Sequence, residues 1–188
     1  MLAQQSPEHI LESALSALAS AADWRSELNE LPAPIYTSDA DGALTYWNSA
    51  CVEFAGREPV LGEDRWCVTW QLYTTSGDRL PHEHCPMAHA LRDRQPVRDA
   101  IAIAERPDGG RVAFTPYPTP LFNEAGELTG AVNVLIDVSD QQAEALSEQA
   151  SRCRRLAGAM YDRDASSVLS SMANGFEKTA NELRPKRA

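Results

Sequence analysis

Apolar residues near the N-terminus recur at helical spacing and form one stripe: Leu11, Leu15 and Leu18. The segment before them, Ser6-Pro7-Glu8, is typical of a helix start, because proline suits the first helical position and an acid suits the first turn. The pattern predicts an amphipathic helix that continues to about Asn29. Its stripe must be buried against the outer face of the domain's own sheet, against a second copy of the chain, or against both.

The pattern changes to short β-prone runs after residue 31. Residues 35–37 and 44–47 lie on either side of the turn-forming sequence Asp39-Ala-Asp41-Gly42, which predicts a β-hairpin. Asn48 follows at the position of a helix N-cap. Residues 131–138 form a later strand in which Asn133 shares one face with apolar residues, and this strand runs directly into a helix.

Prolines occupy alternate positions at the end of the strand predicted from residue 111: Pro116, Pro118 and Pro120. In an antiparallel strand, alternate residues direct their N–H groups to the same neighbour, and proline has no N–H to donate. The pairing on that side is therefore predicted to end, or to become an edge, around Pro116.

The C-terminal third carries a second periodic pattern. Ser139 and Gln142 have the spacing of a capping box, and the apolar residues after them recur as in a heptad seam: Ala143, Leu146, Ala150, Cys153, Ala157 and Met160. Asp164 is a candidate cap for a further helix, whose apolar residues are Val168, Leu169, Met172, Phe176, Ala180 and Leu183. The two helices predict a helical hairpin.

The opening sequence LPAPIYTSDADGALTYWNSACVEFAG and the closing sequence ELTGAVNVLIDVSD resemble the two ends of a PAS sensor domain over residues 31–140. This resemblance implies an α+β fold, in which a five-stranded antiparallel sheet carries small helices on one face. Residues 1–30 would be a flanking amphipathic helix and residues 141–188 a helical hairpin. The implied strands are at about residues 34–38, 43–47, 97–105, 111–120 and 129–138.

The resemblance also implies a route for a signal. Asp137 and Ser139 occupy the family's Asp-x-Thr junction between the last strand and the outgoing helix, with Ser in place of Thr. Flanking helices usually mediate dimerisation in this family, which assigns the dimer contacts to Leu11, Leu15, Leu18, Leu146 and Ala150. Homodimerisation and relay through these helices are therefore expected.

Two further resemblances concern the output. The sequence WCVTWQLYTTSGDRLPHEHCPMA is similar to PAS domains of bacterial sensor kinases, in which a kinase or cyclase module follows the domain. The residues after position 140 are too few for either module, so output is expected through association with another signalling protein or through dimer rearrangement. The sequence from Arg152 to Leu183 is similar to a short hairpin found at the end of many small alphaproteobacterial proteins.

The family's interior holds a ligand in some members and is simply packed core in others. The candidate pocket residues are aromatic, apolar or amide side chains near that interior: Trp66, Trp70, Tyr73, Met87, Leu91 and Asn133. They could surround a small molecule. The alternative is that the aromatic residues form core, and that Asn133 satisfies a neighbouring backbone group.

Residues 82–89 contain the one dense cluster of ligand-type side chains, and His82 and Cys85 are its candidate haem or metal ligands. Cys85 and His89 could also share a metal if a helix begins at Pro86. The spacing matches no zinc pattern. The alternative is that Cys85 caps a helix, Met87 packs in the core, and His84 and His89 face solvent. The sequence therefore does not require a cofactor, and haem is the cofactor that this segment could bind.

Composition narrows the class of protein. The chain has 188 residues and a net charge of −10, which argues against nucleic acid or an anionic membrane as the main partner. The basic residues 184–187 are interpreted as a solvated tail. Apolar runs are too short to span a membrane, no secretion signal is visible, and four unpaired cysteines fit a reducing cytoplasm.

Catalytic patterns are missing from the sequence. No Ser or Cys lies in a nucleophile elbow, and Cys51, three residues after Asn48, does not match the reactive cysteine of flavin photosensors. We therefore expect a homodimeric bacterial PAS sensory or regulatory protein that is not an enzyme. The alternatives are a ligand-free adaptor for protein–protein interaction and a haem-based gas or redox sensor.

Overall fold

The computed structural model describes residues 6–20 and 22–184. Its helices are α1 (Pro7–Ser20), α2 (Trp24–Glu30), α3 (Ser49–Ala55), α4 (Pro86–Asp93), α5 (Ser139–Ala159) and α6 (Arg163–Leu183). Its strands are β1 (Ile35–Asp39), β2 (Leu44–Trp47), β3 (Gln71–Tyr73), β4 (Ala102–Glu105), β5 (Arg111–Pro116), β6 (Thr119–Phe122) and β7 (Leu128–Asp137). The basic tail predicted beyond Arg184 lies outside the described residues.

The strands form one antiparallel sheet in the order β2-β1-β7-β5-β4-β3, and β6 also pairs with β7. We call the region from β1 to β7 the sheet domain and the pair α5–α6 the hairpin. The α+β fold expected from the resemblance is confirmed. The short strand β3 was not predicted. Strand β4 begins at Ala102 instead of residue 97, because Asp99 has a φ of 59°, which interrupts extended backbone.

The predicted strand 111–120 is divided into β5 and β6, which both pair with β7 on the same side. Pairing between β4 and β5 stops at Phe114, just before the first of the three alternate prolines. Beyond it, the N–H of Tyr117 still donates to Val134 O of β7 at 2.9 Å, on the side that the prolines leave intact. The predicted end of pairing around Pro116 is confirmed.

Both faces of the sheet are covered. On the inner face, α3 and α4 pack over a core that includes Tyr36, Phe54, Met87, Phe114 and Leu135. On the outer face, the N-terminal helices cover the half formed by β1, β6 and β7, and the hairpin covers the half formed by β4 and β5. The stripe of α1 therefore lies against its own sheet, which was one of the three options for it.

The N-terminal pattern predicted one helix, and the structure has two, with a turn at Ala22 and Asp23 between them. The side chain of Asn48 fixes the position of the second helix, α2, relative to β1. Its Nδ2 donates to Leu28 O at 3.0 Å and to Ala33 O at 2.8 Å, and its Oδ1 accepts from Ile35 N at 2.9 Å. Asn48 is thus at the N-cap position of α3 but does not cap it with its side chain.

The hairpin is confirmed, with corrections at its ends. Helix α6 is capped by Asp162, whose carboxylate accepts from Asp164 N and Ala165 N, and not by Asp164. The N-cap residue of α5 is Val138, which makes no side-chain cap, so Ser139 and Gln142 do not form a capping box. The seam of α5 is buried at Ala143, Leu146, Ala150 and Ala157, whereas Met160 follows the helix and is 49% exposed.

Candidate functional site

A buried polar network crosses the inner core. The hydroxyl of Tyr36 donates to Trp66 O at 2.9 Å and accepts from Asn133 Nδ2 at 2.9 Å. Asn133 Oδ1 in turn accepts from Tyr117 N at 2.9 Å. Both side chains are fully buried, and each of these polar atoms has a partner. The network therefore joins the loop at Trp66 to β1, β7 and the link between β5 and β6.

Burial keeps this region uncharged. It raises the pKa of Tyr36 well above its ordinary value, and the nearby thiols of Cys67 and Cys85 add to the effect. Burial also raises the pKa of Cys85 to about 12. The phenol and the thiol are therefore protonated at neutral pH, and the phenol acts as a neutral hydrogen-bonding group.

The structure brings together three of the six candidate pocket residues. Met87, Leu91 and Asn133 are buried in or against the inner core. Trp66 is half-buried at its edge, with its indole against Gly42. Trp70 is 44% exposed and does not join them.

Tyr73 lies on the other face of the sheet. Side chains alternate along β3, and Leu72 takes the inner position, so Tyr73 points outward. There it packs near the hairpin, with the guanidinium of Arg111 4.6 Å from its ring centroid. The six residues therefore do not lie together on one face of the sheet, and those on the inner side lie in or against a core of buried side chains.

His82 and Cys85 lie close in sequence but make separate contacts. His82 Nε2 is 3.4 Å from Thr69 Oγ1, and burial lowers its pKa. Cys85 Sγ is buried and 3.8 Å from Trp66 O. In the part of the chain that the structure describes, no group of three or more His, Cys, Asp or Glu could hold a metal ion. No feature of this geometry favours haem ligation by the pair.

The alternative prediction for this segment was that Cys85 caps a helix, Met87 packs in the core and both His84 and His89 face solvent. The structure agrees with part of it. Met87 is in the core, and His84 is exposed. His89 is half-buried, and its Nδ1 is 2.8 Å from Arg92 Nη2. Cys85 is at the N-cap of α4 but its thiol makes no capping hydrogen bond.

Asp137 and Ser139 lie where the last strand meets α5. The carboxylate of Asp137 accepts from Ser139 N at 2.8 Å, so it joins the strand to the first residue of the helix. Ser139 Oγ accepts from Ala113 N at 3.0 Å, and Val138 N donates to Ala113 O at 2.9 Å. The start of α5 is therefore hydrogen-bonded to the middle of β5 as well as to the end of β7.

The residues predicted to contact a second copy are covered within the chain. Leu11 is buried in the core beneath α1, and Leu15 and Leu18 pack against that core. Leu146 and Ala150 are buried in the hairpin. Intramolecular packing accounts for both apolar stripes, so these positions are not free surfaces in this arrangement.

Sequence reasoning did not single out Tyr36 or Arg111. Arg111 donates to Glu105 Oε2 from Nε at 2.9 Å and to Glu182 Oε2 from Nη1 at 2.8 Å, which links β5 to α6. Both roles depend on partners far away along the chain, 97 residues for Tyr36 with Asn133 and 71 for Arg111 with Glu182. The sequence signals that could have indicated the network were a tyrosine, Tyr36, within a predicted strand and an asparagine, Asn133, on the apolar face of another predicted strand.

Comparison with known proteins identifies what this arrangement resembles. A family model described as "PAS fold" matches residues 28–143. No curated protein sequence matches the chain. Within the described residues, none of the helices is both long enough and apolar enough to cross a membrane.

Three solved structures are among those similar to this chain. The PAS domain of the fruit-fly ELK potassium channel is 15% identical, with a TM-score of 0.50, over 66% of this chain and 96% of that chain. An RNA-binding Light-Oxygen-Voltage receptor is 22% identical, with a TM-score of 0.49, over 79% of this chain and 40% of that chain. The Rhodobacter sphaeroides LOV protein is 11% identical, with a TM-score of 0.48, over 88% of this chain and 95% of that chain.

Proposed function

Because this chain belongs to the PAS family, we propose that it is a signalling module that relays a change in its sheet domain through the β7–α5 junction to the hairpin. The family match supports a sensory signalling role. The module is non-enzymatic, bacterial and cytoplasmic in this proposal, and the hairpin presents its output to a partner signalling protein.

The observation that carries the proposal is the double attachment of α5. Ser139 is bonded through its N–H to Asp137 and through its Oγ to Ala113 N. A change in the relative position of β5 and β7 therefore moves the two anchors of the first turn of α5. Because packed interfaces switch between discrete arrangements, small shifts at such a junction can move the whole hairpin.

The hairpin is attached to the sheet at further points. Ala143, Leu146, Ala180 and Leu183 pack against Ile103 and Ala113 of the outer face. The Arg111–Glu182 ion pair adds a polar tie from β5 to the last turn of α6. These contacts support a mechanical connection between the sheet and both helices.

The input of the relay is the network of Tyr36, Asn133 and Trp66. Asn133 lies on β7, the strand that ends at Asp137, so a change in its hydrogen bonds acts on the strand leading to the junction. Trp66 has a φ of 61°, a strained value for a tryptophan, and its carbonyl is the outer end of the network. A signal can act here only if it binds or stabilises two arrangements unequally.

The output surface is the end of the hairpin opposite the sheet's anchor points. Large apolar side chains are exposed around the connection between the helices: Leu156, Met160, Tyr161 and Val168. Clustered exposed apolar residues commonly mark interaction sites. This end is therefore the candidate docking surface for the partner protein.

Hydrogen exchange tests the relay. Replacing Asn133 with Ala breaks the network in the inner core, and the proposal expects faster amide exchange in α5 and α6 as well as near Asn133. The matched control is Asn123→Ala, in an exposed turn between β6 and β7. Exchange that changes only around β1, β7 and Trp66 would show that the hairpin does not receive the change.

The proposed homodimer requires a surface other than the predicted one. The outer face of α5 carries Glu144 and Glu148 in its N-terminal half and Arg152 and Arg155 in its C-terminal half, all of them exposed. Antiparallel contact with a second copy would pair acids with arginines. Light scattering should show that Arg152→Glu weakens self-association and that mixing it with Glu148→Arg restores it. An unchanged dimer in Arg152→Glu would exclude this face.

The packing of the inner core favours a second candidate, a constitutive adaptor that binds its partner without a ligand. The inner core includes the buried side chains of Tyr36, Met87 and Phe114. Native mass spectrometry of freshly purified protein separates the two functions. A retained small molecule supports the sensor, and a ligand-free protein with full partner binding supports the adaptor. An absorption spectrum with added haemin tests the haem alternative in the same sample.

A further inference from the structure

A groove lies between the hairpin and a turn of the sheet domain. One wall is the turn at residues 75–77, after β3, and the other is the side of α6 that carries Met172, Gly175 and Phe176. The cavity measures about 460 Å³, which is within the range of small-molecule sites. It lies on the opposite side of the sheet from the interior that the PAS resemblance points to.

The wall of the groove that α6 provides is apolar and open. Met172 is exposed, and Phe176 is half-buried at the contact between the hairpin and the sheet. Gly175 has no side chain, and no atom lies within 4 Å of the position that its Cβ would take. Space for an aliphatic or aromatic group therefore exists between these side chains and the turn.

Charges of both signs lie at one end of the groove. Lys178 Nζ is 3.8 Å from Glu182 Oε1, with the two side chains 77% and 33% exposed. A pair at this distance with one largely exposed member contributes little stability, so a ligand's charged groups could bind Lys178 and Glu182 in place of their contact with each other. Arg111 would keep a partner if Glu182 bound a ligand, because its Nε and Nη2 also donate to Glu105.

The charge balance selects the ligand. Arg111 is paired with Glu105 and Glu182, and Lys178 with Glu182, so the open end of the groove offers one cationic and one anionic group side by side, Lys178 and Glu182. A zwitterion carries the matching pair of opposite charges. We propose that this groove binds a small apolar α-amino acid, with its carboxylate at Lys178, its ammonium at Glu182 and its side chain on Met172 and Phe176.

This site goes beyond the relay proposed above and does not depend on it. A ligand here touches the sheet domain and α6 together, so it would hold the hairpin against the turn. Binding is measured directly at the groove, whereas the relay is measured by exchange in the hairpin after a change in the inner core. If the groove binds no ligand, the exchange experiment still tests the relay, and if the relay fails, the titration still tests the groove.

Nuclear magnetic resonance titration of the full chain tests the site, with L-leucine, L-methionine and L-phenylalanine as probes. We expect saturable shifts of the Gly77 and Gly175 amide signals with at least one probe. 4-Methylpentanoate and 3-methylbutylamine, which each keep one charge of leucine, should bind about tenfold more weakly. Lys178→Gln should weaken binding of the amino acid by a similar factor.

Matched glycine variants locate the site. Gly175→Leu fills the groove and should abolish the shifts, and Gly158→Leu, on α5 with equally open space, should bind as the wild type does. Both changes raise helix propensity, so loss of folding does not account for a difference. Absence of saturable shifts with all three probes up to about 10 mM, or unchanged binding in Gly175→Leu, would overturn the proposal. Equal binding of the single-charge analogues would overturn the choice of a zwitterion.

Discussion

Ser139 accepts a hydrogen bond from the backbone N–H of Ala113, a residue 26 positions earlier in the chain, through its side-chain oxygen. The bond joins the first residue of α5 to the middle of β5. Helix starts are usually stabilised from within, by a side chain that caps the helix's own N–H groups. Here the carboxylate of Asp137 accepts from the N–H of Ser139, and the Ser139 side chain also supplies an acceptor to the sheet, which makes the position of α5 dependent on β5.

Removing this acceptor should loosen the helix start. Ser139→Ala leaves Ala113 N without its partner, and we expect a loss of about 1 kcal/mol in unfolding free energy with faster exchange of the Ala113 amide. Ser139→Thr keeps the hydroxyl and serves as the control. Urea unfolding and hydrogen exchange measure the two effects. Equal stability of the Ala and Thr variants would show that the bond is unimportant.

The buried phenol of Tyr36 should matter more than an exposed one. Tyr36→Phe leaves Asn133 Nδ2 without its partner and leaves Trp66 O with only the long contact to Cys85 Sγ, which should lower stability by about 1–3 kcal/mol. Tyr46→Phe is the matched control, because its hydroxyl donates to Arg25 O at an exposed position. Thermal and urea unfolding of both variants provide the comparison, and equal losses would contradict the role of the network.

Stability should fall in alkaline solution because of buried thiols. Burial raises the pKa of Cys51 and Cys85 from an ordinary 9.0 to about 12. Above pH 9 the unfolded chain releases these protons first, so the stabilising contribution is complete below pH 9 and is lost as pH rises towards 12.

Urea unfolding at about pH 8 and about pH 10.5 measures this loss. Cys85→Ala should reduce the dependence on pH, and Cys153→Ala, at a partly exposed position on α5, is the control. A wild-type slope in Cys85→Ala would contradict the assignment to this thiol.

Two glycines with the same backbone angle separate strain from packing. Gly42 and Gly62 both have a φ of 87°, but a Cβ at Gly42 would overlap the Trp66 indole, whereas the position at Gly62 is open. Gly62→Ala should lower stability by about 1 kcal/mol through strain alone. Gly42→Ala should lose about 1–3 kcal/mol more and alter Trp66 fluorescence. Equal losses would mean that Trp66 moves aside freely.

The sequence predicted the parts of the fold that depend on local pattern. Turn residues predicted the β1–β2 pair, and alternation predicted the strand β7. Helical spacing predicted the two helices α5 and α6. The inward orientation of Asn133 also followed from alternation along β7. Each of these features is a property of one stretch of chain, and its neighbours in space did not need to be known.

The features that were missed depend on long-range partners. Tyr73 was assigned to a pocket because it lies in an aromatic run, but pairing of β3 with β4 turns it outward. The spacing of Ser139 and Gln142 suggested a capping box, but the Ser139 hydroxyl instead accepts a hydrogen bond from the N–H of Ala113. The stripes at Leu11 and Leu146 were recognised correctly as buried surfaces, and the sequence did not show that the same chain would cover them.

The contact between α5 and α6 has a further consequence. Its buried side chains are largely alanines, at positions 143, 150 and 157 of one helix and 173 and 180 of the other. Small side chains make fewer van der Waals contacts than large ones, so they resist sliding of one helix along the other less. Contacts with the sheet fix the helices at Leu146 and Leu183, whereas further along the hairpin the Arg154–Glu177 ion pair joins the two helices at 3.2 Å. Because dissolved salt screens such a pair, ionic strength becomes a variable that acts on how the helices align away from the sheet.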